Sequence, residues 1–326
     1  MQVLLLGATG LLGNNVLRTL LDRGHSVVAL VRSDILEISH PKLDIRKGSI
    51  LDIVDLRNAA QGCDAIVNCA GTTDMSLLHY DDYLPINKSL CESILEVMDE
   101  LHINILVHTS TANTIGYGSP TRSGTEEDDI MPPFTSSFYA QSKLEAEKLL
   151  MWDARQHPER HITVLNPGFM IGGYDYKPSS GKLLLMGFKR RIMASPGGGK
   201  SFVHVKDVAE ATVNALTMGR SGERYLLTGV NMRLKEFYAL QAEVCGYRQR
   251  FIVLPDLLVA LAGRLGDLLR WMGIATQLST SNVRQLQAME YYSCDKARRE
   301  LAYSSTPIAA AIRDFFDWQE TRGVKY

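Results

Sequence analysis

A phenol and an amine lie four residues apart in the segment FYAQSKLEAEKLL, residues 138–150. Strong helix formers fill this segment, and residues at positions i and i+4 of a helix lie one above the other on the same face. Tyr139 and Lys143 are therefore expected to be neighbours near the start of a largely solvent-facing helix. The next residue at this spacing, Glu147, is expected to form an ordinary surface pair with Lys143.

A phenol with its usual pKa of about 10 is a poor proton shuttle at neutral pH. A lysine ammonium about 4 Å away in a partly screened cleft contributes on the order of 4 kcal/mol, enough to lower the phenol pKa by up to about three units. Tyr139 would then protonate a carbonyl oxygen while a hydride reaches the carbon. The alternative is a fortuitous spacing, because this pattern occurs by chance in many helices.

Hydroxyl side chains follow an apolar segment in ILVHTSTANTIG, residues 105–116, where Thr109, Ser110 and Thr111 are consecutive. The carboxyl ends of strands in a doubly wound sheet open onto the ligand cleft. A hydroxyl at this point would hydrogen-bond a substrate oxygen beside the tyrosine. Alternatively, these residues only finish a strand and begin a turn.

Three glycines separate an apolar strand from an amphipathic helix in VLLLGATGLLGNNVLRTLL, residues 3–21. Such a turn needs a positive φ, a close approach of the backbone to a pyrophosphate, and tight packing of the helix on the strand. Free N–H groups and the helix dipole would hold the phosphates of a dinucleotide, and a plain tight turn is the alternative. The candidate cofactor-binding residues of this turn are Gly7, Thr9, Gly10, Leu11, Leu12 and Gly13.

Arg32, at the end of the second apolar segment, bears on the choice of dinucleotide. An acidic residue at such a position accepts hydrogen bonds from the ribose 2′-OH of NAD, whereas an arginine suits the 2′-phosphate of NADP. We therefore expect NADP (as NADPH), with NAD as the less favoured cofactor. In the alternative, Arg32 is a solvated strand end and Asp34 binds the ribose.

The elements that position these residues follow from the hydrophobic pattern. Nearly continuous apolar runs indicate strands buried on both faces of a parallel sheet, and amphipathic segments lie between them. This alternation predicts an α/β fold, a Rossmann doubly wound parallel sheet with right-handed crossovers. The predicted strands are Val3–Leu6, Val27–Val31, Ala65–Cys69, Ile105–Thr109 and Ile162–Leu165, followed by sheet-like pieces at 200–205 and 224–229 around a helix at 208–218.

Beyond about Pro167 the pattern loosens into glycine- and proline-rich loops and then mostly helical segments. We expect an NADP-binding Rossmann domain over residues 1–166, with 200–229 returning to it. A smaller, mainly helical C-terminal substrate-binding lobe would comprise residues 167–199 and 230–326. The substrate would bind in the cleft between the two.

Composition narrows the class of protein. A formal net charge of −1 over 326 residues gives no electrostatic case for nucleic acid or an anionic membrane. Five cysteines without a CxxC pair fit a reducing cytoplasm, and the sequence has no metal-ligand spacing or signal-peptide core. Charged residues interrupt the apolar segment 252–278, which is expected to be a lobe helix with one buried face rather than an interfacial anchor. We therefore expect a cytoplasmic protein without nucleic-acid, membrane or metal partners.

Taken together, the motifs resemble those of the extended short-chain dehydrogenase/reductase superfamily, in its NAD-dependent epimerase/dehydratase group. They are GATGLLG at 7–13, GCDAIVNCAG at 62–71, HTSTANTIG at 108–116, YAQSK at 139–143, NPGFMIGG at 166–173 and SFVHVKDVAEATVNAL at 201–216. Within this group the chain most resembles bacterial relatives of dihydroflavonol 4-reductase. Family members commonly dimerise through two long helices, here around 89–101 and 139–151, so a homodimer is compatible with the resemblance.

The resemblance implies a Ser/Thr–Tyr–Lys catalytic triad. Thr111 would be the hydroxyl residue, with Ser110 as the alternative, Tyr139 the proton donor, and Lys143 the partner that binds the nicotinamide ribose. Asn87 would lie beneath the active site. Two further pairs would contact the cofactor, Ala70 and Gly71 on the adenosine–ribose side and Pro167 and Gly168 beside the nicotinamide.

Two departures from the family bear on the reaction. Ser49 stands where epimerases often have an aspartate that contacts adenine. Ala112 and Asn113 follow Thr111 where 4,6-dehydratases carry the Asp–Glu pair that eliminates water, so dehydration is not expected. His204, just before a predicted helix, is expected to be structural or to line the cleft rather than to be catalytic.

We expect an NADPH-dependent reductase of a small carbonyl substrate, or an alcohol dehydrogenase in the reverse direction. One alternative is a nucleotide-sugar 4-epimerase with tightly bound NAD, which would need cations for a diphosphate. Another is a non-catalytic regulator that senses NADP, which would need the glycine turn but not the tyrosine and lysine. The candidate diphosphate-binding residues are Lys189, Arg190, Arg191 and Lys200.

Overall fold

The computed structural model describes residues 1–32, 36–176 and 179–324. The strands are β1 (Gln2–Leu6), β2 (Ser26–Val31), β3 (Leu43–Lys47), β4 (Ala65–Asn68), β5 (Ile105–Thr109), β6 (His161–Pro167), β7 (Phe169–Ile171), β8 (Ile192–Ser195), β9 (Gly199–His204), β10 (Glu223–Leu227), β11 (Val230–Arg233), β12 (Arg250–Val253) and β13 (Met289–Glu290). The helices are α1 (Leu11–Asp22), α2 (Ile53–Ala60), α3 (Leu90–Leu101), α4 (Phe138–Gln156), α5 (Gly181–Gly187), α6 (Val205–Asn214), α7 (Leu234–Val244), α8 (Asp256–Trp271), α9 (Thr280–Gln285), α10 (Asp295–Glu300) and α11 (Ile308–Thr321).

The main sheet has seven strands in the order β10–β6–β5–β4–β1–β2–β3, and every pair of neighbours is parallel. Because the chain leaves β1 in one direction and later resumes on its other side at β4, a crevice opens at the carboxyl end between these two strands. This arrangement confirms the predicted α/β Rossmann fold class.

Helices cover both faces of the sheet, and each face has its own apolar core. Residues of α1, α6 and α10 pack on one face, and residues of α2, α3 and α4 pack on the other. Two-sided burial explains why the central strands are nearly free of polar residues. The edge strand β3, LDIRK, is largely exposed and therefore has no apolar run by which the sequence could reveal it.

The lobe contains two small sheets and several helices. In one sheet β9 pairs with β7, β11 and β13, and in the other β8 pairs with β12. Its core is aromatic, with Phe202 and Phe237 stacked at 4.2 Å between ring centroids. Within the segment 200–229, β10 is a strand of the main sheet and α6 packs against that sheet, whereas β9 belongs to the lobe. Helix α10, later in the chain, returns to the main core. The exact limits of two domains stay a prediction.

Helix α8 has a buried face, as expected, but this face is narrow. Its buried residues are only Val259, Gly263 and Gly266, while Leu257 is 71% and Trp271 84% exposed. Among the described residues, no helix combines the length and apolar character that crossing a membrane requires.

Candidate active site

The glycine turn after β1 has the geometry that its sequence predicts. Gly7 has a φ of +82°, and a Cβ atom on it would lie 2.7 Å from the backbone nitrogen of Ala70. A Cβ atom on Gly13 would lie 2.0 Å from the carbonyl oxygen of Gly7, so helix α1 packs directly on the turn. Gly10 is the N-cap of α1 and offers no side chain to cap it, which leaves first-turn N–H groups for a ligand.

The carboxyl edge of the main sheet brings most of the other candidates together. Cys69, Ala70 and Gly71 follow β4, Ser110 and Thr111 follow β5, and Gly168 follows β6. Arg32 directly follows β2 at the same edge and is exposed. Asp34, the alternative ribose-binding residue, lies outside the described residues.

Lys143 lies in the second turn of α4 and is only 3% exposed. Its Nζ donates to the carbonyl oxygen of Thr109 at 2.9 Å, and a Cβ atom on Gly71 would lie 3.0 Å from this nitrogen. Burial lowers the pKa of Lys143. An ammonium has three donors, so two remain for hydroxyl groups of a ligand in the crevice beside Gly71.

Tyr139 begins the same helix just after the N-cap Ser137, whose Oγ accepts from the backbone nitrogen of Ala140 at 3.4 Å. Burial raises the pKa of the Tyr139 phenol, and a hydrogen bond with the Thr111 hydroxyl acts in the opposite direction. The predicted lowering of this pKa is wrong for the structure. The cost of burying a phenolate dominates, while the Lys143 ammonium is directed at Thr109.

The structure distinguishes the two hydroxyl candidates. Thr111 caps the 3-10 turn Ala112–Thr114, where its Oγ1 accepts from the backbone nitrogen of Asn113 at 3.3 Å, and it contacts the phenol. The Ser110 hydroxyl instead donates to the buried carboxylate of Glu147. Thr111 is therefore the hydroxyl that faces Tyr139.

Glu147 is a residue of the site that sequence reasoning missed. It is 1% exposed, and its Oε1 accepts from Thr114 Oγ1 at 2.6 Å, from Asn166 Nδ2 at 2.7 Å and from Ser110. The guanidinium of Arg224 lies 3.6 Å from its Oε2, and burial raises the pKa of Glu147. The expected surface pair is therefore wrong, and so is the solvent-facing helix, because this face of α4 is buried.

A signal for Glu147 was present in the sequence. Its position repeats the spacing of four residues from Tyr139 to Lys143, which places all three on adjoining parts of one helix face. A face that carries side chains of the candidate site must point towards the sheet edge, so the third residue at this spacing is buried with them.

Asn87 joins α4 to the segment after β4. It lies in a π-helical turn, Pro85–Ser89, that leads directly into α3. Its Nδ2 donates to Ser142 Oγ at 2.9 Å and to the carbonyl oxygen of Thr72 at 3.2 Å, while its Oδ1 accepts from the Thr72 nitrogen at 2.8 Å. Such π-helical turns are frequent at functional sites, and this one holds the crevice wall beside Lys143.

Other candidate residues are hydrogen-bonded or paired within the protein. His204 caps α6 by accepting from the Lys206 backbone nitrogen at 3.2 Å, as a structural residue would. The Ser49 nitrogen donates to Asp55 Oδ2 at 2.8 Å. Lys200 is paired with Glu290, which leaves it poorly placed to bind a diphosphate. Within the described ranges, no three His, Cys, Asp or Glu side chains are grouped as a metal ion would need.

The border of the expected nicotinamide position is tightly built. The Gly168 nitrogen donates to the carbonyl oxygen of Leu227 at 3.0 Å, and a Cβ atom on Gly168 would lie 2.6 Å from the carbonyl oxygen of Ser201. Pro167 ends β6 beside Leu227, its partner in β10. Glycine is therefore required where main sheet and lobe meet.

Comparison with known proteins adds an independent line of evidence. Residues 3–228 match the model of the NAD dependent epimerase/dehydratase family. The chain is 26% identical to sterol demethylase protein B of Methylococcus capsulatus, over 99% of this chain and 100% of that protein. It is 26% identical to a protein of Synechocystis sp. named as a dihydroflavonol 4-reductase, over 97% and 94% of the two chains.

Two further similar proteins are a curated relative and a solved structure. The first, 28% identical over 93% of this chain and 92% of its own length, is the 4-hydroxy-2-methyl-3-oxo-4-farnesyl-3,4-dihydroquinoline-1-oxide ketoreductase of Stigmatella aurantiaca. The second is the solved structure of UDP-glucose 4-epimerase from Thermotoga maritima, 16% identical with a TM-score of 0.79, covering 99% of this chain and 100% of that one. At that identity the likeness shows the fold alone.

Proposed function

The chain belongs to the NAD dependent epimerase/dehydratase family, and we propose that it is an NADPH-dependent reductase of a carbonyl substrate. As a member of this group it is an NAD(P)-dependent oxidoreductase of the extended short-chain dehydrogenase/reductase type. The main support for the proposal is the proximity of three side chains at the carboxyl edge of the sheet, those of Thr111, Tyr139 and Lys143.

The residues present fit a dinucleotide. The glycine turn permits close approach of a pyrophosphate to the N-terminus of α1, and Lys143 has donors to spare beside Gly71. A bound nicotinamide dinucleotide supplies the hydride in reduction and accepts it in oxidation. Tyr139 donates its phenolic proton to the carbonyl oxygen, Thr111 hydrogen-bonds that oxygen and holds it beside the phenol, and Lys143 holds the ribose.

The preference for NADPH rests on Arg32. Its exposed guanidinium follows β2 at the edge where an adenosine ribose would lie, and its charge suits a phosphate better than a hydroxyl. A reductase draws on a diffusible reduced cofactor, which fits this preference. A 4-epimerase would instead keep NAD bound throughout its cycle, and the pairing of Lys200 with Glu290 removes one of its candidate cations.

The substrate class is a ring or side-chain ketone on a largely apolar body. Support comes from relatives whose names refer to a sterol, a flavonol and a farnesylated quinoline. A panel of such ketones, together with small aldehydes and nucleotide sugars, is therefore the first screen for NADPH oxidation.

Substitution Tyr139→Phe tests the reaction. We expect kcat to fall by about 10²–10⁴-fold on whichever ketone is turned over, because the proton donor is lost, while NADPH binding stays within about twofold of the wild type. The matched control is Tyr247→Phe, which removes a hydroxyl bonded to Gly187 in the lobe. Equal loss of binding and turnover in Tyr139→Phe would make the residue structural and overturn its proposed role.

Fluorescence titration with NADPH and NADH at one salt concentration tests the cofactor. We expect tighter NADPH binding, and a loss of about tenfold to a hundredfold in Arg32→Gln, because a charge-assisted contact with the 2′-phosphate disappears. Arg46→Gln is the control, since its guanidinium pairs with Asp44 on the exposed edge strand. Tighter NADH binding, or NAD that cannot be removed, would contradict the NADPH preference and favour epimerisation. No turnover on the whole panel would favour the NADP-sensing regulator.

A further inference from the structure

We propose that the outer face of α8, together with the basic segments 189–191 and 248–250, is a docking surface for an anionic phospholipid membrane. The chain would lie on the bilayer with α8 parallel to its plane. This inference concerns where the protein binds and does not rest on the proposed reaction.

The outer face of α8 is apolar and has no partner among the described residues. At about 100° per residue, its large exposed side chains form a stripe roughly 140° wide, opposite the buried residues. Gly263 and Gly266 are pressed against Val283 and Leu278, so that side of the helix is the one fixed to the lobe. The exposed side chains of the stripe are Leu257, Leu258, Leu261, Leu265, Leu268, Trp271 and Met272.

A helix that is apolar on both sides is stable only if both sides are covered. The apolar surface also continues beyond α8 into the strand before it. Ile252 and Val253 of β12 are exposed, and so is Ile192 of the paired strand β8. Contiguous apolar patches of this extent on a folded protein mark contacts with another protein or a membrane.

Positive charges border this patch. Arg264 lies within the stripe, and five exposed cations lie on the segments that lead into β8 and β12. The acidic residues of α8 lie outside the stripe, where Asp256 accepts from Gln287 at 2.7 Å and Asp267 accepts from the backbone nitrogen of Thr280 at 2.9 Å. Because the whole chain has a formal net charge of −1, this is a local concentration of charge. The five bordering cations are Lys189, Arg190, Arg191, Arg248 and Arg250.

This charge pattern selects the occupant of the surface. A second copy docked by a two-fold axis presents the same surface with the same cations, so it offers the basic segments no complementary negative charge. An anionic bilayer accepts the apolar stripe among its acyl chains and the cations at its headgroups, as surface-lying amphipathic helices do. At sixteen residues, α8 would lie on the membrane and not cross it.

The inner side of α8 contacts a loop that leaves the candidate active site. The Arg270 guanidinium, at the end of α8, donates to the carbonyl oxygens of Met75 at 3.4 Å and Ser76 at 3.2 Å. These residues belong to the loop that leaves the crevice after Gly71. Arg270 leaves α8 on the side of Gly263 and Gly266, so this loop lies behind the helix as seen from the membrane.

Co-sedimentation with vesicles tests the proposal on the full chain without cofactor or substrate. We expect the wild type to bind phosphatidylcholine vesicles that contain phosphatidylglycerol, and to bind pure phosphatidylcholine and high-salt samples much more weakly. The double variant Leu261→Glu/Leu265→Glu should lose at least about tenfold in affinity, and Arg190→Glu/Arg191→Glu a similar amount. Trp271 fluorescence should shift to the blue on binding.

The control is Leu51→Glu/Val54→Glu, which places two charges on equally exposed apolar positions in and before α2. It should bind vesicles as the wild type does, and all variants should keep the wild-type circular dichroism. A wild type that remains in the supernatant with anionic vesicles overturns the proposal. So does a dimer in sedimentation velocity that Leu261→Glu/Leu265→Glu converts to a monomer without any vesicle binding, because the occupant would then be a second copy.

Discussion

At the scale of single residues, Glu147 determines where the Thr111 hydroxyl lies. Its Oε1 accepts hydrogen bonds from donors at the end of β5, in the 3-10 turn and in β6. Asn166 also donates to the carbonyl oxygen of Thr111 at 3.1 Å. One carboxylate therefore fixes the turn that carries Thr111 against the helix that carries Tyr139. A buried acceptor of this kind acts through its neighbours and does not need to touch substrate.

Removing this carboxylate should be costly. Glu147→Ala removes the acceptor of the Ser110 hydroxyl and one of the acceptors of Thr114 and Asn166, and it leaves Arg224 without its carboxylate partner, so we expect a loss of about 3–5 kcal/mol in the free energy of unfolding. Urea denaturation followed by circular dichroism measures it. Glu92→Ala, which breaks the exposed pair between Lys88 and Glu92, should cost less than about 0.5 kcal/mol. Equal losses for the two substitutions would show that the hydrogen bonds of Glu147 add no more to the free energy of unfolding than an exposed ion pair does.

In the proposed mechanism, the pKa of Tyr139 sets the pH dependence of turnover. Because burial raises this pKa, carbonyl reduction should keep a level kcat/KM through neutral pH and fall only when the pH rises through the raised value. Alcohol oxidation requires the phenolate and should increase over the same alkaline range. Profiles of kcat/KM in both directions measure this. A reduction profile that already falls near neutrality would show that the phenol pKa is lowered in the working enzyme.

At the scale of elements, the glycine turn and α1 form one rigid unit. Gly13→Ala would force a Cβ atom to within 2.0 Å of the Gly7 carbonyl oxygen, so we expect about 1–3 kcal/mol of destabilisation and loss of dinucleotide binding. Gly10→Ala adds a Cβ atom 3.4 Å from the same oxygen at an ordinary φ of −84° and should fold like the wild type. Thermal unfolding measures the stability of both variants, and titration with NADPH measures their dinucleotide binding.

The elements also show what a single sequence reveals. Strands β1, β2, β4, β5 and β6 were predicted because burial on both faces makes each a short apolar run. The edge strand β3 could not be found in this way, nor could β13, which has only two residues. Helix spacing placed Tyr139 beside Lys143, but the partners of Glu147 come from residues 110, 114, 166 and 224. Contacts so distant along the chain are settled by the fold.

At the scale of the whole molecule, the chain closes its main core with residues from near its end. Ala297 and Leu301 are fully buried in the core under α1 and α6, and the Tyr303 hydroxyl donates to the carbonyl oxygen of Thr228 at 3.0 Å. After these residues the chain returns to the lobe, where α11 packs in the lobe core. Main sheet and lobe are therefore joined by several crossings of the chain.

This interleaving predicts cooperative unfolding. Leu301→Ala should cost about 2–5 kcal/mol, because it opens a cavity in the main core, while Leu51→Ala at an exposed position should change stability by less than about 0.5 kcal/mol. The two parts should unfold together, so tryptophan fluorescence and circular dichroism should give one urea midpoint. Two separate midpoints would show that the lobe folds independently.

The late return of α10 also has a consequence for the newly made chain. Proteins are synthesised from the N-terminus at about 5–20 residues per second, and domains usually fold as soon as they have emerged. Here the apolar faces of α6 and β10 are covered by Ala297 and Leu301, which are synthesised some eighty residues later. The nascent chain thus exposes this part of its central core to solvent until residues 297 and 301 have emerged from the ribosome.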